Sequence, residues 1–530
     1  MTRWGMVVDL GRCVGCQTCT IACKMENALP PGTLWRTVRD VESGVYPDVR
    51  RTFVPLTCMH CADPPCLGAC PTTATRVRPD GIVWIDNDLC IGCGSCVVAC
   101  PYEARHIIPD SRYYFDAPTA PERATYDPSR VGICTKCQFC AHKLDEAGAN
   151  SVPGVHPEST PACSSSCIAN AIYFGDLEDP RSNVARMLAE QGGGARMLEH
   201  LETQPSVYYL NVPPLDAQPP RLQHTWHKLA VANFVCGPMG VGLYLWSALL
   251  AWMQGPPEPL LGVDGATAWP VHLAEWPLSL PQVAGLLAPL LVIAGLLSVA
   301  AEAGRPFRGL YVFRHVRRSW ASRESAFAMA FVALTGLDTL FWQSPTVQTV
   351  AIFLGAGVVF SQGMILRNAK GVPAWNAPIM PLHFLTGALC GGGGAALLLA
   401  GLLRADSPAV GLIAILSAVL ADWGVWRAYL RTPPRTSTFQ PAAALLRSAR
   451  FRAGIEWLGH GLPIALLTVA LASSGAAPGL ATAAGLALVA GAVWVKGALV
   501  LKAAYLADLY DRFGERQTSA SMPRGSAKAA

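Results

Sequence analysis

All but two of the 19 cysteines fall, before residue 170, into four runs whose spacing is that of metal–sulfur ligands. Cys13, Cys16, Cys19 and Cys23 read C-x2-C-x2-C-x3-C. Cys58, Cys61, Cys66 and Cys70 read C-x2-C-x4-C-x3-C-P, and Cys90, Cys93, Cys96 and Cys100 read C-x2-C-x2-C-x3-C-P. The fourth run is interrupted: Cys134, Cys137 and Cys140 come first, and Cys163 and Cys167 follow a long insertion. Three thiolates at such intervals wrap one iron–sulfur cube, and the cysteine on the next turn points toward a second. Four sets of four thiolates meet the need of four 4Fe-4S clusters without a histidine. An isolated C-x2-C pair reads as a zinc knuckle. Runs of three closely spaced cysteines with a fourth followed by proline favour iron–sulfur cubes instead.

The internal two-fold repeat pairs the runs. The two middle runs exchange their last cysteines, Cys70 and Cys100, and the outer runs exchange Cys23 and Cys167. Cys140 is then surplus. It can stand in for Cys137 or Cys163, but Cys134, Cys137, Cys163 and Cys167 are the preferred ligands, because C-x2-C followed by C-x3-C repeats the second run in stretched form.

Composition changes near residue 213, so two units must position this chemistry. Residues 1–212 carry the cysteine runs, 213–223 form a proline-rich linker, 224–505 a membrane anchor and 506–530 a cytoplasmic tail, with Gln517–Ala530 disordered. Apolar stretches at about 229–252, 281–301, 325–342, 347–366, 381–403, 408–426, 455–473 and 480–501 each suffice for a bilayer-crossing helix. Arginines gather in 302–324 (Arg305, Arg308, Arg314, Arg317, Arg318, Arg323) and in 431–454 (Arg431, Arg435, Arg447, Arg450, Arg452), whereas the alternate loops hold only Arg404. The positive-inside rule makes those two loops cytoplasmic. An even number of spans returns both ends to that side, in keeping with a start that lacks a secretory or twin-arginine signal. A reducing compartment disfavours disulfides. The formal net charge of +5 forms no basic stripe, so nucleic acid is not an expected partner.

The runs resemble the four-cluster ferredoxin-like subunits of molybdopterin oxidoreductases. The matching stretches are Met6 to Asn27 (MVVDLGRCVGCQTCTIACKMEN), Pro55 to Pro71 (PLTCMHCADPPCLGACP), Asp80 to Arg105 (DGIVWIDNDLCIGCGSCVVACPYEAR) and Phe174 to Ser182 (FGDLEDPRS). The chain departs from the pattern in its fourth run, with the insertion, the extra Cys140 and Ile168 in place of proline. The resemblance implies an α+β ferredoxin-like double lobe fused to an all-α transmembrane bundle of about eight helices. It also implies electron transfer between a catalytic subunit and a membrane anchor. No pterin site is evident, so molybdopterin belongs to a partner subunit.

The apolar half resembles dimethyl sulfoxide reductase-type membrane anchors through Glu302 to Glu324 (EAGRPFRGLYVFRHVRRSWASRE) and Val372 to Leu385 (VPAWNAPIMPLHFL). This implies a quinone site, for ubiquinone or menaquinone, around the loop between the second and third spans. A family histidine often precedes the Gly-x-Pro turn, where this chain has Glu302 and Ala303. Quinone chemistry couples two electrons to two protons and needs an acid/base group near each carbonyl. Glu302 and Glu324 are the candidates for proton handling, with Arg305, Arg308 and His383 at the quinone.

Asp338, His383, Asp422, Glu456, His460 and Lys496 lie within or at the margins of spans, where ionisable groups are paired or functional. Lys496 is expected to snorkel to the cytoplasmic interface, and the others to pair across helices or form a proton path. Cys236 and Cys390 read as packing residues. No helical histidine pair argues for haem, so none is expected. The activity that fits best is sulfite oxidation with quinone reduction, at the cytoplasmic face of the inner membrane. The alternative is a quinol-dependent reductase of an S-oxide, N-oxide or sulfur oxyanion.

Overall fold

The computed structural model describes residues 2–513 apart from 116, 149, 217, 220, 256, 258, 264–270, 274–277, 406–407, 433–438, 474–477 and 508–511. Arg435 and the expected disordered end, Gln517–Ala530, lie outside the described residues. The chain divides into two compact units. One holds 1–67, 73–221 and 506–530, and the other holds 68–72 and 222–505.

The first unit is built on a three-stranded sheet with β1 (Trp4–Asp9) at its centre. β2 (Ile172–Asp176) pairs antiparallel to it, with Val8 opposite Ile172, and β3 (Val207–Leu210) pairs parallel, with Met6 opposite Val207. β1 is buried along most of its length, as a strand flanked on both edges and packed on both faces must be. A long hairpin, Thr37–Val45 against Asp48–Leu56, contributes Val41 and Val54 to the core. Many core neighbours are cysteines rather than aliphatic side chains, among them Cys19, Cys23, Cys58, Cys61, Cys100, Cys137 and Cys163. The stretch expected as a linker is partly built into this unit: Leu215 is buried in its core, and Asp216 accepts the Gly44 N–H at 2.8 Å. Arg512 and Phe513 also pack here. The buried Arg512 guanidinium pairs with Glu103, and Phe513 meets the Tyr209 ring edge-on at 5.2 Å.

Among the described residues of the second unit, eight helices are long and apolar enough to cross a membrane. They are α1 (Lys228–Gln254), α2 (Leu280–Glu302), α3 (Trp320–Trp342), α4 (Pro345–Arg367), α5 (Met380–Leu403), α6 (Ala409–Arg431), α7 (Ala449–Ala472) and α8 (Pro478–Lys502). Lipid offers no hydrophobic drive between helices, so close packing at small residues does that work. Accordingly α1 and α5 touch at Gly242 and Gly392, where a Cβ on Gly392 would stand 2.2 Å from the Gly242 backbone. Two spans change pitch. α3 ends in a π-helical turn at Asp338–Trp342, and α7 is π-helical over Ala453–Gly461, a distortion found often at functional sites.

Candidate functional site

The four cysteine loops share one local design. In each, a two-residue gap separates two cysteines, and the residue before the second cysteine takes a left-handed backbone: Gly15 (φ 70°), His60 (φ 42°), Gly92 (φ 68°) and Phe139 (φ 54°). Glycine adopts this region without penalty, and His60 and Phe139 adopt it against their side chains. Such a turn lines up successive N–H groups into a concavity suited to an anionic cluster. The third cysteine sits on a helix: Cys19 in Thr18–Glu26, Cys66 in Pro65–Ala69, Cys96 in Ser95–Ala99 and Cys163 in Ala162–Ser165.

The fold brings the thiols together across runs. Cys13, Cys16, Cys19 and Cys167 are electrostatic neighbours. So are Cys23, Cys137, Cys140 and Cys163, and so are Cys58, Cys61, Cys66 and Cys100. Of the remaining four, the Cys93 thiol donates to the Ser95 hydroxyl at 3.4 Å, and the Cys70 sulfur stands 3.7 Å from the Thr72 hydroxyl. Among the described residues no two cysteines are joined by a disulfide. Burial pushes the Cys66 thiol up to about 12, with Arg105 pulling against it and Cys100 adding to it. Burial does the same to Cys140, to about 12, with help from Cys163 and Cys137. Four such thiols ionise together only if a bound cation compensates them, which iron does.

Two buried guanidinium groups complete the donor chemistry. Arg36 is 1% exposed, and its Nη2 lies 3.3 Å from Cys163 Sγ, while its Nε and Nη1 have no hydrogen-bond partner. Arg105 is 3% exposed and places Nη2 3.0 Å from Cys66 Sγ. Burial works against both charges, yet neighbouring thiolates hold them firmly protonated. A buried cation requires a counter-charge, which a thiolate-bound 4Fe-4S cluster supplies. The residues present therefore fit such clusters.

Cys134 does not join the set expected for it. Its N–H donates to Cys90 Sγ at 3.4 Å, and its thiol holds Cys96 down to about 6 by hydrogen bonding, with burial opposing and Arg105 assisting. Lys136, the residue before Cys137, is absent from the left-handed region that marks the other loops. The loop equivalent to the other three is Cys137–Cys140. Spacing alone could not separate the two registers, because both read C-x2-C.

In the helical unit, Glu324 on α3 is buried and accepts from Asn233 Nδ2 on α1 at 2.9 Å and Gln362 Nε2 on α4 at 2.8 Å. Glu302 ends α2 half-buried and accepts the His227 N–H at 2.8 Å. Arg308 lies in the 3-10 segment between α2 and α3 and Arg305 immediately precedes it, both half-buried. His383, the other residue expected at the quinone, is engaged by a different helix. On the first turn of α5 it faces Asp422 of α6, Nδ1 to Oδ1 3.5 Å, and the tilted ring of Trp426. Lys496 does not snorkel: it is 5% exposed, and its Nζ lies 3.4 Å from the centre of the Phe384 ring. Near its end α8 turns this side chain into the bundle rather than to water.

A cysteine-lined ferredoxin-like unit continuous with eight apolar helices defines a membrane-anchored iron–sulfur electron-transfer protein. Residues 49–113 match the 4Fe-4S dicluster domain, and residues 282–451 match the DMSO reductase anchor subunit (DmsC). A selenate reductase subunit of Mesobacillus selenatarsenatis is 41% identical over 39% of this chain and 72% of its own length. A tetrathionate reductase subunit of Salmonella typhimurium is 38% identical over 40% and 73%. A sulfite dehydrogenase subunit of Allochromatium vinosum is 32% identical over 40% and 83%. The chain belongs to the iron–sulfur subunits of the dimethyl sulfoxide reductase family, here fused to its own membrane anchor.

Proposed function

We propose that this chain carries four 4Fe-4S clusters and passes electrons between a molybdopterin-containing catalytic subunit and the quinone pool. The observation that carries the reading is the interleaving of thiols from separate runs, with Cys167 beside Cys13 and Cys19, and Cys100 beside Cys58 and Cys61. The ligand sets are Cys13, Cys16, Cys19 and Cys167; Cys23, Cys137, Cys140 and Cys163; Cys58, Cys61, Cys66 and Cys100; and Cys70, Cys90, Cys93 and Cys96. When bound, the clusters supply one-electron carriers of tunable potential. The chain's own residues supply the rest. The cages exclude water, and Arg36 and Arg105 place positive charge against the sulfurs. Glu324, fixed by Asn233 and Gln362, holds or takes a quinone proton, with Glu302, Arg305 and Arg308 at the same helix ends.

The arginine-rich segments after α2 and after α6 lie at the helix ends where α1 begins. The positive-inside rule therefore supports a cytoplasmic iron–sulfur unit and an inner-membrane anchor. A cytoplasm-facing unit, together with likeness to a sulfite dehydrogenase subunit, supports sulfite oxidation with quinone reduction. The second reading is a quinol-dependent oxyanion reductase, supported by the higher identities to selenate and tetrathionate reductase subunits. Anaerobic titration of the purified complex separates them. Sulfite-dependent bleaching with quinone reduction supports the first. Quinol-reduced clusters that reoxidise with an oxyanion, in a preparation inert to sulfite, support the second.

A further inference from the structure

Four ionisable side chains from four helices meet inside the second half of the anchor, away from Glu302 and Glu324 in the sequence and on different helices. They are His383 of α5, Asp422 of α6, His460 of α7 and Lys496 of α8, each no more than 6% exposed. His460 is clamped at both ring nitrogens. Its Nδ1 lies 2.7 Å from the Ile455 carbonyl, and its Nε2 lies 3.1 Å from Asp422 Oδ2. A carbonyl only accepts, so Nδ1 carries a hydrogen. An unprotonated Nε2 would then turn its lone pair on a carboxylate. The contact is attractive only if one further proton lies between Nε2 and Oδ2, whether it is bonded to the ring or to the acid.

The other oxygen of Asp422 accepts from the Thr386 hydroxyl and stands 3.5 Å from His383 Nδ1, which is long for a direct hydrogen bond. His383 Nε2 and Lys496 Nζ have no hydrogen-bond partner in the structure. Lys496 instead rests on the Phe384 ring, as a cation does. A Cβ on Gly387 would lie 3.9 Å from Lys496 Nζ and 4.0 Å from Asp422 Oδ1, so the glycine borders both side chains and leaves room for about one methyl group beside them. Of the other charged groups on these helices, Arg427 of α6 pairs with Glu456 of α7 at 3.3 Å, and Arg431, Arg450, Arg452 and Lys502 stand at the helix ends. Cys390 of α5 is the other titratable group that senses Asp422. The centre sits on the π-helical part of α7, where the backbone turns His460 onto Ile455.

We propose that Asp422, His460, His383 and Lys496 form a proton-binding centre within the membrane, in which Asp422 and His460 share one exchangeable proton. It stands apart from the quinone reading, since it requires neither quinone nor a catalytic partner. The test is an infrared difference titration of the full cluster-loaded chain in lipid nanodiscs, in H2O and D2O. The expected result is a pH-dependent, deuterium-sensitive carboxyl and imidazole signal that Asp422→Asn and His460→Gln each remove and Glu324→Gln leaves in place. Lys496→Met keeps the pair itself intact. Loss of its positive charge lets the pair hold its proton more tightly, moving the midpoint up by about one pH unit. Persistence of the signal in Asp422→Asn, or an unmoved midpoint in Lys496→Met, overturns the proposal.

Discussion

His60 and Phe139, the left-handed residues of two different cysteine loops, stack on one another with ring centres 3.7 Å apart and planes 20° from parallel. The stack ties the Cys58–Cys61 loop to the Cys137–Cys140 loop in the core of the first unit. It also places Phe139, and with it Cys140, in the same structural role as His60 and Cys61.

Cys140→Ala is therefore expected to remove about a quarter of the bound iron, the share of one cube among four. Cys134→Ala is expected to leave the iron content unchanged and to shift only the spectrum of the Cys90 and Cys96 neighbourhood. Iron and acid-labile sulfide assays on the anaerobically purified chain decide between the two cysteines.

Arg36 puts a buried positive charge 3.3 Å from Cys163 Sγ. Net charge and hydrogen bonding at the sulfurs set cluster potential, and positive charge favours the reduced state. Arg36→Met should lower the potential of the cluster bound by Cys163 by tens of millivolts while the others hold. A redox titration followed by electron paramagnetic resonance reads this directly.

Glu324 has its two hydrogen-bond donors in place, both of them neutral amides. Glu324→Gln keeps the shape and removes the proton. Quinone turnover is expected to fall on the order of 100-fold, in the range of a lost general acid or base. Dithionite reduction of the clusters should remain unaltered. An equal loss in both measurements would mean that the residue is structural.

Arg78 forks across Asp145, with Nη1 to Oδ2 at 2.8 Å and Nη2 to Oδ1 at 2.6 Å. Hydrogen bonding from Arg78 holds the Asp145 carboxyl below its ordinary range. The folded value is depressed, so the pair contributes stability above the unfolded value of about 3.9 and loses it as pH falls through the folded one. Asp145 is half exposed, which limits the cost of Asp145→Asn to below about 1 kcal/mol. Urea unfolding followed by cluster absorbance should show the wild-type advantage at pH 7 and a smaller one near pH 4.

The spans were legible in the sequence because each is a local property. The stretch read at about 229–252 is the helix Lys228–Gln254, and a bilayer leaves few other structures for such a run. The ferredoxin-like character was legible for the same reason, since three cysteines and their loop lie within one turn of chain. The register of the fourth run was not. Cys134 and Cys140 stand at equal spacing from Cys137, and only the folded chain separates them, by the backbone angle at Phe139 and by the contacts of Cys134 with Cys90 and Cys96. The meeting of His383, Asp422, His460 and Lys496 was also hidden, because each helix contributes one residue and no local pattern links them. Lys496 reads as a snorkelling side chain from its place near a helix end, and only the helix's rotation turns it inward onto Phe384.

The central claim is an electron path from clusters to quinone within one chain. Its most direct test is stopped-flow mixing of the oxidised, cluster-loaded chain in nanodiscs with a menaquinol or ubiquinol analogue, without any catalytic partner. The account predicts bleaching of the cluster absorbance at a rate that depends on quinol concentration and is slowed by Glu324→Gln. Clusters that dithionite reduces but neither quinol can reach, at any concentration, would contradict it.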